Sequence, residues 1–150
     1  MGRWSEWAYW DPRLIRRNEK LWKAGTYRIR LLHNGHACPI NRFRGMDRDG
    51  ILYIGQGASL WTRIREFNKT ATAAEGSITH SGGRMFWAQP KSLKGTSLQY
   101  QYHLVNNGKA GAVREEADLL LTYFKVFGEL PPLNSSASSY FWKQMGVVTA

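Results

Sequence analysis

Hydrophobic and polar positions first alternate cleanly over Thr26-Tyr27-Arg28-Ile29-Arg30-Leu31-Leu32. Tyr27, Ile29 and Leu31 share one face and Thr26, Arg28 and Arg30 the other, which predicts a half-buried strand beginning just after Gly25. A second strand is predicted at Ile51-Leu52-Tyr53-Ile54, an apolar run rich in β-branched and aromatic residues. Gly55 and Gly57 are expected to break it into a turn. Ser59 then suits an N-cap, and Leu60, Ile64 and Phe67 recur at helical spacing. The segment therefore reads strand, glycine turn, helix. Arg63 falls on the edge of the apolar stripe, near the strand that carries Tyr53, while Arg65 turns toward solvent. Residues 33–50 read as a long polar connection with Gly35, Pro39, Gly45 and a turn at Asp47-Arg48-Asp49-Gly50. The two strands are most simply an antiparallel pair.

Leu98 to Leu104 alternates again and predicts a third strand. Residues 110–127 predict a strong amphipathic helix, with Val113, Ala117, Leu120, Phe124 and Phe127 as its apolar stripe. Glu115, Asp118, Thr122 and Lys125 fall on the polar side, whereas Glu116 borders the stripe and is held near the core. Gly128 ends the helix, and Pro131-Pro132-Leu133-Asn134 continues as a rigid extended piece. Arg84 to Ala88 fits a strand or a short helix equally well. These elements define a domain over residues 25–134. Residues 1–24 form a Trp-rich, basic extension read as helical, and 135–150 form a Ser-rich joint and an aromatic tail.

Composition adds a partner to this picture. Against 11 Asp and Glu stand 21 Lys and Arg, a net charge of +10. Charge of this size on a small domain points to a polyanion, most often nucleic acid. Arg28, Arg30, Arg42, Arg44, Arg65, Lys69 and Arg84 are the candidate phosphate contacts. A single cysteine cannot form an internal disulfide and suits a reducing, cytoplasmic compartment. No apolar run is long enough to span a bilayer and the N-terminus lacks a signal-peptide core, so no membrane role is expected.

A semi-buried carboxylate, an arginine at a strand–helix junction and two strand tyrosines form a coherent set for phosphodiester hydrolysis. Glu116 can hold a hard divalent cation through oxygen. The arginine can neutralise charge on the phosphoryl oxygens, and a tyrosine can take or relay a proton from water. Each residue also has an ordinary structural use: strand tyrosines pack, and an edge glutamate pairs with Lys or Arg. His33, His36 and Cys38 lie close enough in sequence to suggest zinc, but structural zinc takes four ligands and no second pair is visible. A polar loop is the expectation there.

Five short motifs then occur in order. Gly25-Thr26-Tyr27 leads the first strand and Tyr53-Ile54-Gly55 lies on the second. Arg63 stands eight residues after Gly55, Glu116-Ala117-Asp118-Leu119-Leu120 lies on the long helix, and Pro132-Leu133-Asn134 follows. Together, over residues 25–134, they resemble the motifs of the GIY-YIG nucleases. The resemblance implies an α/β (α+β) fold with a small central antiparallel three-stranded sheet flanked by helices. It also implies a divalent-metal-dependent endonuclease, with DNA the expected substrate and a single Mg²⁺ or Mn²⁺ as cofactor. By the same resemblance Tyr27 is the base or relay, Tyr53 positions water or phosphate, Arg63 contacts the scissile phosphate and Glu116 binds the metal. Gly25 and Gly55 are structural, and Asn134 is a clamp or lies near the phosphate. The chain departs from the pattern with Thr26 in an aliphatic place, Gln56 in place of lysine or a small polar residue, and Phe67 in place of a histidine. His80 resembles a second histidine of some members and could take over a proton-transfer role. The alternative is a catalytically silent nucleic-acid-binding module of the same fold, against which the intact set of Tyr27, Tyr53, Arg63 and Glu116 speaks.

Overall fold

The alternation at Thr26–Leu32 produces the central strand of the molecule. In the structure, a computed structural model describing residues 2–72, 80–88 and 96–147, the chain begins with β1 (Ala8–Tyr9), α1 (Pro12–Arg17) and a 3₁₀ turn (Glu19–Trp22). There follow β2 (Gly25–His33), β3 (His36–Ala37), β4 (Ile40–Arg42), β5 (Gly45–Asp47) and β6 (Ile51–Gly57). The remainder is α2 (Leu60–Ala71), α3 (Ser81–Trp87), β7 (Thr96–Leu104), α4 (Gly108–Phe127) and α5 (Ser139–Gln144). The fold is thus mixed α/β with antiparallel sheets. β2 runs between β7 on one edge and β6 on the other, Tyr27 facing Tyr102 on one side and Gly55 on the other. Where three strands were expected, the main sheet has five, because β1 extends the β7 edge and β3 pairs with the end of β2.

The two faces of the sheet carry different layers. Tyr27, Ile29, Tyr53 and Tyr100 point to the face covered by α2, where Leu60, Ile64 and Phe67 complete the core. Ile51 and Ile54 point to the other face and meet Leu120 and Tyr123 of α4 and Phe141 of α5. The expected stripe of α4 is mostly kept, with Ala117 and Leu120 buried and Phe124 and Phe127 packed beside them, but it shifts to take in buried Ala112 and Tyr123 while Val113 is exposed. A tertiary partner explains the shift, since the Tyr123 hydroxyl donates to buried Asp47 at 2.9 Å. Gly128 ends α4 in the left-handed conformation, as its sequence position predicts.

Three readings of connecting segments need correction. Residues 33–50 are not one long loop. Asn34 (φ 50°) and Gly35 (φ 78°) turn β2 directly into β3, and β4–β5 is a separate hairpin. Residues 2–24 are helical as read in α1, which Pro12 opens, and in the 3₁₀ turn, and Trp10 packs on Phe67 and Tyr100. The segment before them, however, adds a strand, β1, to β7, and Leu21 is fully buried, so residues 2–24 belong to the body. Gly55 does not break β6, which runs through it and ends at Gly57. The segment at 84–88, ambiguous by pattern, forms the end of helix α3 with Ala88 as its C-cap. The sequence also predicts a polar, Ala- and Thr-rich segment over residues 69–79, of which 73–79 lie outside the described residues. Among the described residues no helix is long and apolar enough to cross a membrane.

Candidate active site

The glycines of β6 are there for close approach rather than for turning. A Cβ at Gly55 would stand 2.6 Å from both Tyr27 Cζ and Tyr53 Cε1, and one at Gly57 would stand 2.5 Å from Arg63 Cγ. Gly82 of α3 plays the same part behind the Tyr53 ring, where a Cβ would lie 2.6 Å from Cδ2. Carbon atoms repel steeply at such separations, so only glycine lets the two tyrosines and the arginine converge on one strand. The Tyr27 and Tyr53 rings lie 5.9 Å apart.

His80 fixes the orientation of this pair. It caps α3, its Nδ1 accepting from the Gly83 N–H at 3.2 Å. The ring proton is therefore assigned to Nε2, which donates to the Tyr27 hydroxyl oxygen at 2.7 Å. Tyr27 in turn directs its own proton toward Tyr53. The imidazole is fully buried against Phe67 and Tyr53. Burial first, and the nearby Arg63 second, push its pKa down to about 3, so it stays neutral. With both nitrogens engaged and no exposed surface, His80 holds Tyr27 in place and does not face a substrate.

Tyr27 is itself wholly buried, and burial followed by the neighbouring Tyr53 raises its pKa well above 10. Tyr53 is the member of the pair that reaches open space. Its pKa is also raised, by burial first and by Glu116 second, while Arg63 and hydrogen bonds from Ser81 and Tyr27 pull it back.

That open space is a polar cavity of about 200 Å³, lined by Tyr53, Gln56, Arg63, Ser81, Glu116 and Asn134, with the adjoining serines of the 134–136 segment. Glu116 enters from α4 on one side of the sheet and Arg63 from α2 on the other. The Glu116 carboxylate has no hydrogen-bond or ion-pair partner among the described residues. Burial raises its pKa to about 7, against the smaller opposing pull of Lys109 and Arg63. Arg63 has one guanidinium nitrogen held by Glu66 at 2.6 Å, which sets the plane of the group. Lys109 donates to Gln56 at 2.7 Å at the cavity rim. Asn134 closes the outer edge of β6 as a missing strand would: its side-chain oxygen accepts from the Ile54 N–H at 3.0 Å and its amide donates to the Ile54 carbonyl at 2.9 Å.

The candidate catalytic residues thus come together, with Tyr27 and His80 one layer behind the cavity wall. The candidate phosphate contacts divide. Arg28 donates to Gln101 and lies over Trp4 and Trp7, and Arg30 donates to Gln99 and lies over Trp7. Arg42 bonds the Leu130 carbonyl and Glu129, and Arg44 caps the C-terminal carbonyls of α4 at Phe124 and Lys125. These four arginines, expected on a free basic surface, are held by protein partners, with Arg28, Arg30 and Arg42 partly buried and Arg44 exposed. Arg65, Lys69 and Arg84 are exposed.

Glu115, expected toward solvent, accepts from Thr26 at 2.6 Å and bonds His103 Nδ1 at 2.6 Å, tying α4 to the sheet. His103 borders a larger cavity of about 500 Å³ beside the N-terminal segment, away from the tyrosines. Sequence reasoning also missed Asp47, whose buried carboxylate accepts from Asp49, Ile51 and Tyr123. No group of three or more metal-ligating side chains occurs among the described residues, and His33, His36 and Cys38 form none. Comparison with protein-family models, with curated proteins and with solved structures finds no match for this chain.

Proposed function

We propose that the chain is a divalent-metal-dependent endonuclease of the GIY-YIG type that hydrolyses phosphodiester bonds in nucleic acid, with DNA the first substrate to try. The observation that carries the reading is one small polar cavity shared by a carboxylate that has no hydrogen-bond or ion-pair partner among the described residues, a guanidinium and a tyrosine hydroxyl. The fit to a hard cation rests on Glu116 and on the donors around it. A half-buried carboxylate reluctant to ionise gains most from a nearby positive charge, and the described lining of the cavity holds neither sulfur nor imidazole that would favour a softer metal. Mg²⁺ or Mn²⁺ held by Glu116 would supply Lewis-acid charge for the phosphoryl oxygens.

The protein's own groups do the rest. Tyr53 holds the attacking water; burial first and Glu116 second oppose its ionisation, while Arg63 and hydrogen bonds from Ser81 and Tyr27 favour the phenolate, the form that accepts the water's proton. Glu116 opposes that ionisation while its charge is uncompensated, so neutralising Glu116 and readying Tyr53 go together. Arg63, oriented by Glu66, neutralises charge that develops on the scissile phosphate. Tyr27 and His80 position Tyr53 from behind.

The test is incubation of the purified chain with supercoiled, linear duplex and single-stranded DNA and with RNA, with and without Mg²⁺ or Mn²⁺. Metal-dependent strand breakage that disappears in Glu116→Gln supports the reading. Binding without cleavage under every metal makes the chain a silent binding module.

A further inference from the structure

The helix that presents Arg63 to the cavity carries a second set of residues on its other flank. Trp61, Arg65 and Lys69 follow one another at four-residue intervals and form a single stripe along α2. Arg63 lies roughly 200° round the helix from Trp61, at about 100° per residue. The stripe faces α1 and the segment before it. Between them lies a groove of about 470 Å³ in which Trp10 and Arg16 meet Trp61, Arg65, Asn68 and Lys69.

Three features of this groove go together. It gathers the cations Arg16, Arg65 and Lys69, and no acidic side chain among the described residues lines it. The Arg65 guanidinium lies 4.9 Å from the centre of the Trp61 ring, so a flat cation is layered on a flat aromatic. Asn68 adds an amide that can donate and accept. Cations spaced along an aromatic floor match a phosphate backbone whose bases leave the stack to lie on aromatic or guanidinium planes. A duplex keeps its bases stacked and cannot use such a floor.

We infer that the α1–α2 groove binds an unpaired nucleotide of the substrate strand, its base stacked on the Trp61–Arg65 plane and its phosphates met by Arg16 and Lys69. The inference rests on the nucleic-acid-cleaving reading of the cavity and specifies its substrate class: a strand with a single-stranded segment next to the cut. The groove and the cavity lie on opposite flanks of α2, about one helix diameter of 10–12 Å apart. A short length of backbone crossing the helix joins the two.

Equilibrium binding to the full chain in EDTA, where nothing is cut, tests this without reference to cleavage. The probes are a labelled single-stranded oligodeoxynucleotide, the same length carrying abasic sites, and the matching duplex. Wild type should prefer the base-bearing strand. Trp61→Ala should weaken that binding at least about fivefold while leaving the abasic strand within about twofold. Arg65→Ala should weaken both, and Trp22→Ala, exposed outside the groove, neither. Thermal melting shows whether each variant folds. Should Trp61→Ala fail to fold, Arg16→Ala and Lys69→Ala should each flatten the salt dependence of single-strand binding by about one counterion. Equal losses for base-bearing and abasic strands, or unchanged binding in folded Trp61→Ala, would overturn the groove. So would salt slopes in Arg16→Ala and Lys69→Ala equal to that of wild type. A chain that binds through the groove yet never cuts overturns the nuclease reading alone.

Discussion

Glu116→Gln should make the protein more stable at alkaline pH as it removes activity. The folded environment raises this carboxyl from its ordinary 4.5 to about 7, chiefly by burial. Its folded-state pKa is above the unfolded one, so between pH 4.5 and 7 the folded protein holds more protons than the unfolded chain, and stability falls as pH rises through that window. Above pH 7 the ionised side chain withholds about 3 kcal/mol from the fold at most. Its contact with the open cavity screens part of this, leaving about 1–3 kcal/mol. Glutamine has nearly the same shape and no charge to bury. For a domain of this size the gain corresponds to roughly 3–10 °C in Tm. The assay is thermal unfolding of wild type and Glu116→Gln from pH 4 to 8.5 in EDTA. The difference should be near zero at pH 4, grow through pH 6 and level off above pH 7.5. Added Mg²⁺ or Mn²⁺ should raise the wild-type Tm at pH 8 and leave the variant unmoved. A difference that is constant across pH, or a variant less stable at pH 8, would show that Glu116 is ordinarily solvated and would remove the basis for the metal site.

Three further outcomes follow from the same geometry. Arg63→Ala should bind DNA within a few-fold of wild type but cut at least about a hundredfold more slowly in single turnover; equal losses in both would mean that Arg63 serves ground-state binding. Gly55→Ala forces a Cβ to 2.6 Å from both tyrosine rings and should lower stability by about 1–3 kcal/mol, with cleavage lost in whatever remains folded; a wild-type Tm would contradict the close approach. Glu115→Ala removes the acceptor shared by Thr26 and His103 and should lower stability by about 1–3 kcal/mol while the rate per folded molecule holds, which Tm and active-fraction measurements separate.

The strands and long helices were legible because period is a property of the chain alone. The alternation of β2 and β7 and the apolar run of β6 reflect burial of one or both sheet faces, and Glu116 and Arg63 stood out as residues bordering an apolar stripe. What could not be read depended on partners distant in sequence. Arg28 and Arg30 lie on a strand face that looks polar and free, and only the fold brings Trp4 and Trp7 over it. The register of the α4 stripe was set by Asp47, which draws Tyr123 inward. The tight turn at Asn34-Gly35 was available in the sequence, since that pair favours the backbone of a two-residue hairpin. Gly55 and Gly57 were ambiguous in a deeper way. A glycine needed for a turn and a glycine needed for close approach are the same letter, and only the three-dimensional neighbours distinguish them.

That second kind of glycine explains why the candidate site can exist on so small a sheet. Its groups come from both layers: Tyr27, Tyr53 and Arg63 from the α2 side, Glu116 from the α4 side. A side chain at position 55 or 57 would occupy the space in which they meet. β6 pairs with β2 alone, so its outer edge is a weak place in the sheet. Asn134 meets that weakness by taking both hydrogen bonds of Ile54, which also brings the 134–136 segment to the cavity wall. His80 fixes the tyrosines with a neutral ring and so adds no charge to the site. Among the described residues the Glu116 carboxylate has no direct hydrogen-bond or ion-pair partner, and it is destabilised by the same burial that excludes water. A counter-cation in this cavity would therefore stabilise the fold and lower the barrier to Tyr53 ionisation through the same removal of charge, which is why metal-dependent stability and metal-dependent cleavage should share one pH profile.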